Sequence, residues 1–276
     1  MNCRYKAAAL VAAALLFALP VAAQQKSYEP QVGQAGKDVI WVPTPDEVVD
    51  RMLRMAQVTP NDLVFDLGAG DGKIAIAAAK KFGARAVGIE YNPDMARHAQ
   101  GNVEKADVAG KARIIQGDIF ATDFSQATVV TMYLLPALNL KLRPTILAMR
   151  PGTRVVSHSF TMEDWEPDET SSMDGRRAYF WLVPATVGGG WALETGGEKV
   201  ELSFEQRYQK IEGSVGLGHT HGGLRDARLR GANISFAYVD NNGVRRDFTG
   251  RVAGGRMEGS FRAENGSEGR WSATKK

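Results

Sequence analysis

Asp66-Leu67-Gly68-Ala69-Gly70-Asp71-Gly72 is the stretch on which the fold of this 276-residue chain turns. Just before it, Leu63 to Leu67 is a short apolar run of strand length, and just after it Lys73 to Phe82 reads as a helix. A strand, a glycine-rich turn and a helix in that order open a βαβ unit, in which parallel strands are joined by a covering helix.

Outward from that unit the same rhythm repeats. Ala86 to Glu90, Ala112 to Gln116, Thr128 to Met132 and Arg154 to Ser159 read as strands, Pro93 to Ala109 and Leu138 to Met149 as helices, and Ala178 to Val183 as an added strand. Upstream, Asp46 precedes Val48, Val49, Met52, Leu53 and Ala56 at helical spacing. The expected fold is α/β: a Rossmann-like, doubly wound, mostly parallel sheet over residues 38–185. After Pro184 the texture changes to short alternating stretches divided by Gly, Asn and Asp, among them Val200 to Phe204, Tyr208 to Val215, Leu224 to Leu229, Asn233 to Val239 and Met257 to Phe261. Asp240-Asn241-Asn242-Gly243 is a hairpin turn. Residues 186–276 therefore read as a separate C-terminal all-β antiparallel module.

In an open parallel sheet ligands bind beyond the carboxyl ends of the strands, and the chemistry-bearing residues fall there. Asp66 ends the first strand, Glu90 closes the second, where a carboxylate can accept both hydroxyls of a ribose, and Asp118 follows the third beside Ile119, a place suited to the edge and face of an adenine. A glycine-rich loop alone also fits nicotinamide cofactors, but their fingerprint puts the third glycine three residues after the second and presents a helix N-terminus to a pyrophosphate. Here Gly68, Gly70 and Gly72 run two apart, and Asp66 and Asp71 bracket a loop that repels phosphate. S-adenosylmethionine (SAM), with its sulfonium and ammonium, suits those carboxylates. Its expected contacts are Asp66, Gly68, Ala69, Gly70, Asp71, Gly72, Glu90, Asp118 and Ile119, joined by Tyr133 and Leu134 from Met132-Tyr133-Leu134-Leu135-Pro136 after the fourth strand. Tyr133 is the candidate catalytic residue, positioning the nucleophile or facing the sulfonium; a packed core aromatic is the other reading. Trp41-Val42-Pro43-Thr44-Pro45 is rigid and either covers the cofactor or simply opens a helix. His219 and His221 lack a third ligand nearby, so no metal site is expected. His158 reads as a core histidine.

Hydrophobic residues make up 44% of the chain and charged ones 24%, an ordinary globular balance, and the net charge is +3. No nucleic-acid partner is expected from that balance. Met1 to Ala23 has the form of a secretory leader, with basic Arg4 and Lys6, an Ala/Leu-rich run from Ala7 to about Leu19, and small residues before Gln24. Cleavage there gives an exported protein, periplasmic or secreted; the alternative is an uncleaved anchor, for which the run is slightly short. The single cysteine, Cys3, lies inside this leader. Residues 24–37 read as a polar, structureless linker.

Four segments, Trp41-Val42-Pro43-Thr44-Pro45, Asp66 to Lys73, Tyr133-Leu134-Leu135-Pro136 and Arg154-Val155-Val156-Ser157-His158-Ser159-Phe160, together carry a family likeness. Over about residues 38–185 the chain resembles the small class I methyltransferases related to the lysine methyltransferases of the mitochondrial ATP synthase c-subunit and adenine nucleotide translocase. The glycine loop is common to class I enzymes at large; the Val-Pro-Thr-Pro and Tyr-Leu-Leu-Pro segments are more specific. The resemblance implies SAM as methyl donor and a protein lysine as one possible acceptor. Three functions stay open on sequence: methyl transfer to a protein lysine, methyl transfer to a small molecule or lipid near a membrane, and a SAM- or nucleoside-binding or envelope binding protein without turnover.

Overall fold

A computed structural model describes residues 28–276. The expected leader, 1–23, and the first residues of the expected linker lie outside the described residues. Among the described residues no helix is long and apolar enough to cross a membrane.

The first sheet is built from β1 (Leu63–Leu67), β2 (Arg85–Glu90), β3 (Ala112–Gln116), β4 (Val129–Met132), β5 (Arg154–His158), β6 (Glu169–Met173) and β7 (Arg176–Leu182), in the order β3-β2-β1-β4-β5-β7-β6. β1 to β5 run parallel and β7 antiparallel to both its neighbours. The strand order reverses at β1, between β2 and β4, which opens a crevice beyond their carboxyl ends. The helices are α1 (Asp46–Met55), α2 (Lys73–Phe82), α3 (Pro93–Lys105) and α4 (Pro136–Leu147). One face is packed by Val48, Met52, Leu53, Ala75 and Ala78 against Val64 and Ala86. The other is packed by Leu142 and Ile146 with Met132, Trp165 and Trp181. Both faces being covered explains why β1 and β4 are buried almost throughout, and apolar but for Asp66 and Thr131, rather than alternating.

Several element bounds differ from the sequence reading, for local reasons. α3 stops at Lys105, short of Ala109, because Asp107 turns to φ +57°. α4 starts two residues early: Pro136 sits in the first turn, where its missing N–H is not needed. β5 ends at His158, since Ser159 has φ +64°. β6, of sequence ETSSM, was not anticipated, being mostly exposed and without an apolar rhythm. The linker reading of 24–37 fails where the structure describes it: an antiparallel hairpin spans Gly33 to Trp41, with a bridge between Ala35 and Ile40 and mutual backbone bonds from Gly33 and Gln34 to Trp41.

The second sheet contains β8 (Gly189–Thr195), β9 (Glu198–Arg207), β10 (Lys210–Leu217), β11 (Thr220–Gly223), β12 (Arg225–Arg230), β13 (Asn233–Val239), β14 (Arg245–Ala253), β15 (Arg256–Ala263) and β16 (Glu268–Lys275). Its order is β11-β10-β9-β8-β16-β15-β14-β13-β12, antiparallel throughout. The two ends of that order are consecutive in the chain, and Leu224 between them donates its N–H to the Gly213 carbonyl of β10 at 2.8 Å. The sheet thus rolls up into a near-barrel, which limits exposed edges. Its expected strand Tyr208 to Val215 begins only at Lys210, since Tyr208 is a turn residue at φ +56°, and the expected strand Leu224 to Leu229 is half of a split segment. Phe236, Phe248, Phe261 and Trp271 fill the interior, the Phe236 and Phe248 rings stacked with centres 5.0 Å apart. Trp271 fits because its cross-strand neighbourhood is the paired Gly250 and Gly259: a Cβ on Gly250 would come within 2.6 Å of the indole.

The barrel meets the first sheet at the amino ends of its parallel strands. Ala185 N–H donates to the Gly231 carbonyl at 2.9 Å, and Gly231 rests against Gly152, just before β5. Gln206 clamps the connection, its side chain accepting from Val187 and Gly188 and donating to Ala185 and Tyr208 carbonyls. Asp164 accepts from Tyr208, Arg143 and Arg207. A five-residue strand is about 16 Å long, so this junction lies a full strand length from the crevice.

Candidate active site

The loop after β1 shapes the crevice. Gly68, Gly70 and Gly72 adopt φ of +77°, +54° and +81°, values that a side chain disfavours. Alternation of these turns folds the loop back on β2, where Gly68 and Ala69 donate to the Ile89 carbonyl at 3.0 and 2.9 Å. Gly72 then begins α2, Lys73 N–H donates to the Asp71 carboxylate at 3.2 Å, and the Asn102 side chain donates to the Asp71 carbonyl at 3.1 Å.

Carboxylates converge above this loop. Asp66 is 2% exposed and accepts from the Thr131 hydroxyl at 2.7 Å. Burial, and then the like charges of Asp71 and Glu90, push its carboxyl up to about 7. Glu90 accepts from Gly70 N–H at 3.0 Å and from Asn92 N–H at 2.9 Å, which ties the loop to the end of β2. Among the described residues, neither Asp66, Asp71 nor Glu90 is in an ion pair. Asp118 is: Lys37 lies 2.7 Å from it, and that bond together with the Phe120 N–H holds its carboxyl below the ordinary range.

The crevice has two lobes that share Trp41, Gly68 and Leu134. A lobe of about 250 Å³ is lined by Asp66, Ala69, Asp71, Tyr133, Leu134 and Phe160. A lobe of about 90 Å³ is lined by Glu90, Tyr91, Asp118, Ile119 and the hairpin residues around Lys37. Most residues expected from sequence thus meet in one crevice. Gly70 and Gly72 serve from beneath: a Cβ on Gly70 would sit 2.5 Å from the Trp41 indole nitrogen, and one on Gly72 would press on Ile114 and Ala99.

Tyr133 stands at the end of the larger lobe with its ring 4.0 Å from that of His158 and stacked at 6.2 Å on Phe160. His158 Nδ1 and the Thr44 hydroxyl share a buried hydrogen bond at 3.2 Å. Burial, then the charge of Arg176, lowers His158 to about 4, so the ring is neutral at neutral pH. The left-handed Ser159 turns the chain so that Phe160 faces the lobe; strain of this kind gathers at functional sites. Phe160, Thr44 and Lys37 were not singled out as site residues. Phe160 and Thr44 lie within segments that carried the family likeness, whereas nothing marked Lys37 in the sequence.

Three carboxylates without a described counter-ion, one of them buried with a raised pKa, form a site for a cation. Glu90, one of the three, also lines the smaller lobe with Asp118, where the pair could hold a nucleoside. SAM carries both parts: Asp66 and Asp71 would face its charged methionine end, and Glu90, Asp118 and Ile119 its adenosine. The family model described as the ANTKMT methyltransferase domain matches residues 66–169. A protein-lysine N-methyltransferase of Saccharolobus islandicus is 49% identical over 138 residues, which are 49% of this chain and 86% of that one. A lysine N-methyltransferase of the ATP synthase c-subunit, from Mus musculus, is 33% identical over 132 residues, 48% of this chain and 53% of the mouse protein, so the likeness spans about half of that relative's length. A crystal structure described as an RNA methyltransferase of Salinibacter ruber with S-adenosylhomocysteine bound is 50% identical, covering 53% of this chain and 96% of that one, with a TM-score of 0.52. Sequence, fold and pocket chemistry agree: the chain belongs to the class I SAM-dependent methyltransferases, in the family of the ANTKMT methyltransferase domain.

Proposed function

We propose that this enzyme methylates the side-chain amine of a protein lysine. The observation that carries the reading is the wall of Tyr133, Phe160 and Trp41 in the larger lobe, beside the carboxylates of Asp66 and Asp71. Aromatic faces attract an alkyl ammonium on entry, and an apolar wall then lowers its pKa so that the amine is neutral for attack. The likeness to a protein-lysine N-methyltransferase adds to this.

SAM, when bound, supplies a methyl carbon already activated by its sulfonium. The chain's task is alignment, because methyl transfer is an in-line displacement whose barrier falls with positioning. Asp66 and Asp71 fix the donor's charged end. His158, neutral and tied to Thr44, holds the Tyr133 ring against Phe160 and adds no charge to the acceptor wall. Leu134, packed close to Gly68, lines both lobes where they meet.

Incubation with SAM labelled in its methyl group, using cytosolic and envelope extracts, tests the acceptor. Label recovered as methyllysine after acid hydrolysis supports the proposal. Label in lipid or free small molecules favours that rival class, and label in RNA, the substrate named for the Salinibacter protein, also overturns it. We further propose export by cleavage after Ala23, supported by the basic, apolar and small-residue order of Met1 to Ala23. N-terminal sequencing of the mature protein, with fractionation, checks it; an intact Met1 on a membrane-bound chain would favour an anchor instead.

A further inference from the structure

The hairpin Gly33 to Trp41 is firmly seated. Trp41 lies over Gly70, the Tyr28 ring meets His98 edge-on at 6.0 Å, and Gln34 donates to the Tyr28 hydroxyl at 2.6 Å. Lys37 and Asp38 form the hairpin's two-residue tip, closed by Gly36 N–H on the Val39 carbonyl at 2.8 Å. Gly36 is required there, since a Cβ would collide with that same carbonyl.

The tip delivers Lys37 into the smaller lobe, where its ammonium makes two contacts: 2.7 Å to the Asp118 carboxylate and 4.6 Å above the centre of the Tyr91 ring. Those partners are the ones an aminopurine would use. A carboxylate accepts from an exocyclic amine as it does from an ammonium, and an aromatic ring offers its face to a flat base as it does to a cation. Ile119 and Met95 complete the lobe, and Glu90 stands at its ribose side. One volume cannot hold both occupants.

Resting on the SAM reading of the crevice, we propose that Lys37 is a resident competitor for the adenine subsite. The affinity for SAM is then set by how readily adenine displaces this ammonium from Asp118 and Tyr91. The methionine end binds in the other lobe and does not meet Lys37. Lys37→Met, which keeps an unbranched side chain one atom shorter and removes its charge, therefore strengthens binding of adenine-bearing ligands alone.

Calorimetry on the full chain tests this, with S-adenosylhomocysteine, adenosine and methionine as probes. Lys37→Met should bind S-adenosylhomocysteine and adenosine about tenfold tighter than wild type, the scale of one charge-assisted contact, with methionine unchanged. In an Asp118→Asn background the same substitution should gain less than about twofold, because the ion pair is already gone. Equal melting temperatures of Lys37→Met and wild type show that the fold is intact. Unchanged or weaker binding of S-adenosylhomocysteine by Lys37→Met overturns the proposal and leaves the SAM reading standing. Failure of both proteins to bind S-adenosylhomocysteine overturns the SAM reading, and the proposal with it.

Discussion

The two sheets leave different things buried. The parallel sheet keeps a carboxylate, Asp66, among other carboxylates, and bends its backbone at Gly68, Gly70, Gly72 and Ser159 to do so. Within the barrel the buried polar atoms lacking a partner are neutral hydroxyls, of Thr195 and Tyr238, beside a close-packed aromatic interior. An unpaired buried charge costs far more than an unpaired hydroxyl. Burial therefore makes Asp66 hold its proton up to about pH 7, and a fold keeps so costly an acid where a cationic ligand will meet it, so the contrast separates a region built to bind from one built to hold.

The sharpest way to break that contrast is Asp66→Asn. Loss of the charge should weaken S-adenosylhomocysteine binding at least about 100-fold, as expected for a buried charged contact, while the unliganded protein melts higher at pH 8. The sign follows from the raised carboxyl: the folded state keeps a proton that the unfolded state releases from about pH 3.8 upward, so wild-type stability falls as pH rises towards about 7. The variant should lose that slope, and calorimetry across pH 4 to 8 reads it. If binding and stability drop together, Asp66 is an ordinary structural acid.

Gly259→Val attacks the other side of the comparison. Its side chain would collide with the Thr249 carbonyl across the strand pair, costing about 3 kcal/mol or more by overpacking. The barrel should melt early while S-adenosylhomocysteine affinity stays within about twofold, since the crevice lies a strand length away. Loss of binding in step with the barrel would show the two regions to be one cooperative unit.

Within the crevice, Tyr133→Ala should slow methyl transfer about tenfold to 100-fold, the scale of lost alignment, with S-adenosylhomocysteine affinity changed less than about threefold. Tyr133→Phe keeps the stack on His158 and Phe160 and should be milder; single-turnover transfer of label distinguishes them. A Tyr133→Ala enzyme with full rate would return the residue to the core.

Asp164→Asn at the junction should have the smallest effect. Tyr208, then Arg143 and Arg207, hold this carboxyl down to about 2, so its contribution exists above pH 3.8 and fades as pH falls towards 2. The group is exposed and solvent screens it, so the melting temperatures of variant and wild type should differ slightly at pH 7 and converge near pH 2.

Legibility in the sequence followed the same division. Asp66, Glu90 and Asp118 were visible because each ends or follows an apolar strand, and the glycines because they alternate. The barrel's later strands were visible through period-two patterning around Phe236, Phe248 and Phe261. β6 and β8 were hidden, the first polar on both sides and the second opening on Gly189-Gly190. The hairpin was hidden for a further reason: its order comes from contacts with Gly70, Tyr91 and Asp118, which are distant in sequence, and a polar, glycine-containing stretch has no periodicity to announce them. His158 looked like a core residue and is buried, but only the packed structure puts Thr44 and Tyr133 against it.

The split between β11 and β12 has its own consequence. Leu224 is the one residue that separates a strand paired to β10 from a strand paired to β13, and next to it Asp226 at φ +52° and a register shift between Arg225 and Arg228 disturb the ladder. From β13 round to β11 by way of β16 and β8, the pairings of the cylinder are continuous antiparallel ladders. Amide protons along 220–230 should therefore exchange with solvent sooner than those of β14 or β15, and the slow breathing of the barrel should start there, as a cylinder unlatching along a single line.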